Sequence, residues 1–190
     1  MRLFRSVTVV RSTLAAMALI SVRLPTLSAI AAEVSVPPAT SLQSNSQANS
    51  AKPIEFTLPD LEGSPVSIKD LRGHPLIVDF WATWCPPCRK QIPELKTIYD
   101  RYRSHGLIVL GVACDAIEGA GVRDVRQFVK KFAINYPILI GTAAVTDKLG
   151  VEGMPTTMFL DRNGNLVTTI VGGGHSGELS KTAKNLLAAE

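Results

Sequence analysis

Apolar positions along this chain fall into two rhythms, short unbroken runs and helical spacing, with turn-forming clusters between them. Leu76-Ile-Val-Asp-Phe80 is a run with four apolar residues in five, opened by Gly73 and Pro75, and reads as a buried strand. Further on, Ile92, Leu95, Ile98, Tyr99 and Tyr102 recur at helical spacing, which predicts a helix over 89–102 that Gly106 ends. Pro86 and Pro87 suit its first turn, and Pro93 inside it predicts a kink. Leu107 to Ala113 is nearly all apolar, the mark of a parallel strand buried on both faces, so strand, helix and strand form a right-handed crossover.

The second half continues the alternation. Val125, Phe128, Val129 and Phe132 predict a helix over 124–132, Tyr136 to Ile140 a short strand, and Ala143 to Leu149 a short helix ended by Gly150. Thr157 to Leu160 and Leu166 to Val171 flank Asp161-Arg-Asn-Gly164, a hairpin signal. Gly172 to Gly174 reads as a joint before a last helix, Gly177 to Ala189, with Leu179, Ala183, Leu186 and Leu187 on one side. Ahead of the central strand, Ile54 to Leu58 and Val66 to Ile68 bracket the turn residues Asp60 and Glu62-Gly-Ser-Pro65, a small added hairpin. The class is α/β.

The first fifty residues break this pattern. Met1 to Ala32 carries Arg2, Arg5 and Arg11, then the apolar Leu14 to Ile20, then small residues ending Ala29-Ile-Ala31, the parts of a secretory signal. Arg23 interrupts the apolar run, which makes it short for a span of about 20 residues; an uncleaved anchor is the alternative. Residues 33–52 are Ser/Asn/Gln/Ala/Pro-rich without an aromatic and read as a flexible linker, leaving 53–190 as the folded domain. With 190 residues, 46% of them hydrophobic, the chain can bury one sizeable core. The formal charge of +4 resides partly in the first 23 residues, so nucleic-acid binding has no support.

Chemistry concentrates in Trp81-Ala-Thr-Trp-Cys-Pro-Pro-Cys88. Cys85 falls at the mouth of the predicted helix, where unpaired N–H groups and the positive end of the helix dipole favour thiolate. Cysteines so placed have pKa values of roughly 3.5–7.5 against about 8.5 when free. Cys85 is therefore the expected nucleophile, and Cys88, one turn in and more buried, the resolving thiol that closes a Cys85–Cys88 disulfide. Zinc would need a second Cys/His pair, and only Cys114 remains. A purely structural disulfide across three residues would remove little chain entropy. Asp79 lies inside an apolar strand, where desolvation raises a carboxyl pKa and makes it a proton acceptor for Cys88 near neutrality. Cys114 reads as a small buried residue at a strand end and Glu118 as a solvated loop carboxylate. Trp81 and Trp84 are expected to shield the sulfurs. His74, His105 and His175 fall in loops without ligand spacing; neither metal nor cofactor is implied.

The segment Val78-Asp-Phe-Trp-Ala-x-Trp-Cys-x-x-Cys88 resembles the active site of the thioredoxin superfamily, most closely the bacterial extracytoplasmic TlpA/ResA/CcmG-like branch, and the resemblance covers 53–190. Gly153-Met-Pro-Thr-Thr157 resembles that family's cis-proline loop, which packs beside the cysteines and hydrogen-bonds an incoming peptide. The resemblance implies a thioredoxin fold, a central mixed sheet flanked by helices, with the N-terminal hairpin and a helix–strand insert in the middle. It implies substrate-binding roles for Trp84, Pro86, Met154, Pro155 and Thr156. At position 79 cytoplasmic members carry Asp and many extracytoplasmic ones Asn. The implied activity is thiol–disulfide exchange in the periplasm or another extracytoplasmic space, tethered to the membrane if residues 1–32 are retained. Its partners would be a disulfide-containing protein substrate and a membrane thiol reductase as electron donor, with cytochrome c maturation as a pathway. Two other readings are a thiol peroxidase, which needs a Thr and Arg around a lone Cys, and a copper chaperone, which needs a distal His such as His175.

Overall fold

Alternation along one strand sets the architecture. The computed structural model describes residues 52–119, 121–173 and 177–189, so the segments read as signal and linker, together with His175, lie outside the described residues but for Lys52. Strand β3 (Leu76–Trp81) is buried at all six positions. Leu76, Val78 and Phe80 enter one hydrophobic cluster, Ile77 and Trp81 the other, so the strand divides the core between the two faces of a sheet. Asp79, between Ile77 and Trp81, therefore points to the same face as they do.

With β4 (Ile108–Ala113), β5 (Ile138–Ile140), β6 (Thr156–Leu160) and β7 (Leu166–Val171), β3 builds a five-stranded sheet in the order β5-β4-β3-β6-β7. β3 and β4 are parallel, as are β4 and β5, while β6 and β7 run antiparallel. This is the thioredoxin fold. The register sets Asp79 between Gly111 on one side and Thr157 on the other. A side chain on Gly111 would meet Ile138 Cδ1 at 2.6 Å and Trp81 Nε1 at 2.9 Å, so glycine there leaves the room that the indole of Trp81 occupies beside β4.

Helix α1 (Pro86–Tyr102) is buried along Cys88, Gln91, Ile92, Leu95 and Ile98, and joins the Ile77/Trp81 cluster with α4 (Glu178–Ala188). Pro93 lies inside it. A 3-10 turn at Arg103–His105 extends the helix to Gly106, whose φ of 89° is the left-handed stop that glycine takes without steric cost. Glu94 of α1 supplies the N-terminal cap that α4 lacks from its own side chains, accepting from Ser180 N at 2.9 Å. Helix α2 (Val122–Phe132) lays Phe128 on the Trp81 ring, with centroids 5.1 Å apart. The short α3 (Ala143–Leu149) packs Val145 and Leu149 on the opposite face. α2 and β5 form the central insert.

The N-terminal hairpin is shorter than its apolar pattern predicts. β1 (Thr57–Pro59) and β2 (Pro65–Ser67) pair over three residues each, held by Asp60 Oδ1, which accepts from Glu62 N and Ser64 N. Ile68, expected to close the second strand, opens a 3-10 turn (Ile68–Leu71) and is buried, while Ile54 bonds Gly164 O instead of pairing. Both residues pack apolar surface outside the paired strands, although Ile68 N still donates to Phe56 O at 3.2 Å. β5 is likewise cut to three residues: Pro137 has no N–H for the ladder, although Tyr136 before it is still buried.

Candidate active site at the start of helix α1

Cys85 is the N-cap of α1: its backbone is extended, Pro86 and Pro87 take the first two helical positions, and its Sγ accepts from Cys88 N at 3.3 Å. The two sulfurs are joined, S–S 2.02 Å, with Cα atoms 5.3 Å apart. Both cysteines are almost fully covered, Cys85 at 3% exposure and Cys88 at 1%, so the difference in accessibility expected between them is small in the disulfide state. The shielding expected of two tryptophans comes from one. Trp81 is buried in the cluster that holds both cysteines, whereas Trp84 is 45% exposed and forms, with the exposed Pro86 and Pro87, the outer surface of the motif.

The Met154–Pro155 peptide bond is cis. Pro155 is buried and Met154 half-buried; Pro155 O accepts from Gly172 N at 2.7 Å, and Thr156 Oγ1 donates to Gly153 O at 2.6 Å. Those two bonds tie the loop to the end of β7 and close it on itself.

Asp79 lies beneath this surface, 1% exposed. Burial pushes its carboxyl up from 3.8 to about 7, and hydrogen bonds from Thr157 and Gln91 pull the other way. Asp79 Oδ1 accepts from Gln91 Nε2 at 2.7 Å and from Thr157 Oγ1 at 2.8 Å. Neither partner stands out in the sequence as a site residue. The available signal for Gln91 was its place, a polar residue three after Cys88 on the helix stripe that buries Ile92 and Leu95; for Thr157 it was the pairing with Asp79, which only the sheet register reveals.

Asp115 is a second omission. Fully buried just after β4, it accepts from Thr83 N at 3.0 and 3.2 Å and from the Thr83 hydroxyl, fixing the residue two before Cys85. Asp115→Ala would leave the Thr83 N–H without its acceptor and is expected to cost about 1–3 kcal/mol in denaturant unfolding, with Asp115→Asn milder because it keeps one oxygen. An unchanged midpoint for both would show that the loop does not depend on this anchor.

Cys114 is buried and unpaired, and burial, then Asp115 and Asp79, push its thiol up to about 12, so it stays protonated at neutral pH. Glu118 closes a 3-10 turn, Asp115–Glu118, and its side chain lies outside the described residues. His74 is exposed, its Nδ1 3.1 Å from Gly106 O.

A family model described as AhpC/TSA matches residues 50–169. The chain belongs to the AhpC/TSA family. Among curated relatives, a thiol-disulfide oxidoreductase ResA of Geobacillus thermodenitrificans is 34% identical over 119 residues, and one of Bacillus cereus 32% over 118. Each match covers 62% of this chain and 66% of the relative, so the aligned part falls just short of two thirds of those proteins' length. Among solved structures, a thiol:disulfide interchange protein of the thioredoxin family from Chlorobium tepidum superposes with a TM-score of 0.63 at 29% identity, covering 72% of this chain and 97% of that one. StoA from Bacillus subtilis gives 0.58 at 26%, covering 69% and 97%.

Proposed function

We propose that this protein is a thiol–disulfide oxidoreductase that reduces or exchanges disulfides of extracytoplasmic protein substrates through Cys85 and Cys88. The observation that carries the reading is the placement of the Cys85–Cys88 disulfide at the N-terminus of α1, the helix whose Gln91 is hydrogen-bonded to a buried carboxyl held near neutral pKa. In the reduced protein the helix terminus stabilises Cys85 as thiolate. Its sulfur attacks a substrate disulfide; the substrate S–S bond breaks, one substrate sulfur leaves as thiolate, and a Cys85–substrate bond forms. The Cys88 proton then passes to Asp79, Cys88 attacks Cys85 Sγ, the mixed disulfide breaks and the second substrate thiolate departs. Two electrons have moved to the substrate, and the Cys85–Cys88 bond must be reopened by an outside dithiol. A membrane thiol reductase fits that need, and cytochrome c maturation is a pathway in which such a cycle would serve.

Substrate docking is assigned to the surface around the motif. Trp84 and Pro86 offer exposed apolar area, and the half-buried Met154, held by the buried Pro155 and by Thr156 where β6 becomes paired on both sides, offers backbone to which an extended peptide can add. An extracytoplasmic location rests on the basic and apolar pattern of residues 1–32, which would also provide the tether if retained.

The test is stoichiometric. Reduced protein mixed with a disulfide-bonded protein substrate should release two substrate thiols per chain and gain one Cys85–Cys88 disulfide, read by mass spectrometry after alkylation, and Cys85→Ser should release none. Release of thiols by Cys85→Ser at the wild-type rate would overturn the reading.

A further inference from the structure

Gln91 follows Cys88 by three residues, so the two side chains are neighbours on the face of α1 turned to the sheet. Its Nε2 donates to Asp79 Oδ1 at 2.7 Å and to Thr157 Oγ1 at 2.9 Å, and Thr157 Oγ1 donates to the same Asp79 oxygen. One amide thus ties α1, β3 and β6 together around a single carboxylate. Both amide hydrogens are in use, while the carbonyl oxygen Oε1 is buried without a protein partner. Burying an amide oxygen with no donor is costly, and a methionine of similar length would fill the same space without that cost. An acceptor kept in reserve makes sense if a donor arrives at another stage of the cycle. One does: opening the disulfide turns the Cys88 sulfur into an S–H group one helical turn away on the same face.

Gln91 also borders a cavity of about 500 Å³ between α1 and α4, lined with it by Pro87, Lys90 and Leu179, although the residue itself is only 6% exposed. One side of Gln91 thus lines that open space while its amide is bonded to Asp79. Resting on the oxidoreductase reading above, we propose that Gln91 is a positioning residue for the resolving step: its amide N–H groups fix the Asp79 carboxylate, and its carbonyl receives the Cys88 thiol hydrogen bond in the reduced protein. Thiol and proton acceptor are then held by one side chain, and the Cys88 proton crosses to a base whose orientation is already set.

The ionisable groups around Asp79 allow a clean reading. Cys88 shares the buried face of α1 with Gln91; Cys114, with Asp115 beside it, lies just past the end of β4; Tyr136 lies just before β5; from β6 Thr157 bonds the carboxyl. Cys114 is held at about 12 and Tyr136 well above its ordinary value, by burial first and Asp79 second for the tyrosine, and Asp115 is engaged by Thr83. Neither Cys114 nor Tyr136 therefore titrates together with Asp79 near neutrality.

The experiment follows the Asp79 carboxyl carbon and the Gln91 side-chain amide by NMR in both redox states, together with the pH profile of mixed-disulfide resolution. In the wild-type protein the Gln91 amide should shift on reduction and track the Asp79 titration. In Gln91→Met the Asp79 midpoint should rise by about one unit, which cuts the ionised fraction at pH 7 and slows resolution there about fivefold. A merely structural glutamine would move neither midpoint nor profile. An Asp79 midpoint unchanged in Gln91→Met, or a wild-type Gln91 amide indifferent to reduction, overturns the proposal, and the second reading survives any failure of the variant to fold. If Asp79→Asn abolishes the inflection in the profile while Gln91→Met leaves it in place, the Gln91 assignment alone falls. If neither alters it, the role of Asp79 falls too, while exchange through Cys85 and Cys88 stands.

Discussion

Cys88→Ser is expected to turn a catalyst into a trap. The variant keeps Cys85 at the N-cap of α1, so the first attack on a substrate disulfide proceeds, but serine cannot displace the captured sulfur, and the mixed disulfide accumulates. Turnover should drop to background while a covalent adduct of one substrate per chain builds up on a non-reducing gel, and Cys85→Ser should form no adduct. Cys114 does not rescue it. That thiol is fully buried, and at a pKa of about 12 it supplies almost no thiolate at neutral pH. Multiple turnovers by Cys88→Ser at the wild-type rate would mean that another thiol resolves the adduct and that the second cysteine of the motif is dispensable. Adduct formation through Cys88 in a Cys85→Ser background would reverse the order of attack.

How far such a site can be read from sequence depends on the range of the forces that build it. The strand from Leu76, the helix ending before Gly106 and the α3 segment Ala143–Leu149 follow from local periodicity and glycine stops, and the structure has them with shifts of a few residues. The cysteine pair and Asp79 are visible because each is chemically out of place: two sulfurs where a helix begins, a carboxyl in an apolar strand. Gln91, Thr157 and Asp115 are different. Each acts on a residue between 12 and 78 positions away, through contacts set by sheet register and helix packing, and as isolated letters they are ordinary polar residues. The hairpin fails for a related reason. Ile54 and Ile68 are apolar as strand residues are, but they pack on the cluster beside the sheet while one precedes the paired strand and the other opens a 3-10 turn, and composition does not separate the two. Trp84 and Trp81 are the same residue three apart, yet one is core and the other surface, because β3 ends between them.

Asp79→Asn is expected to stabilise the protein and slow it at once. The wild-type carboxyl titrates at about 7 in the folded chain against 3.8 as a free side chain. Below about pH 4 both folded and unfolded forms hold the proton, and the residue contributes nothing to pH dependence. Between there and pH 7 the unfolded chain has lost the proton and the native chain keeps it, so stability falls as pH rises, by about 1.4 kcal/mol per unit, and above pH 7 the loss levels off at roughly 4 kcal/mol. Asparagine removes that slope and still presents an oxygen to Gln91 and Thr157, so oxidised Asp79→Asn should exceed wild type by a few kcal/mol in denaturant unfolding at pH 8 and match it near pH 4. Resolution of the mixed disulfide should meanwhile slow about 10²-fold or more at neutral pH, the usual cost of losing a positioned base. The two effects have one cause: a carboxyl kept out of water is held near neutral pKa, where it can take the Cys88 proton, and the same desolvation is what the fold tolerates at every pH at which the group is charged. Equal unfolding midpoints for the two proteins at pH 8 would mean the carboxyl is hydrated and cannot act as that base.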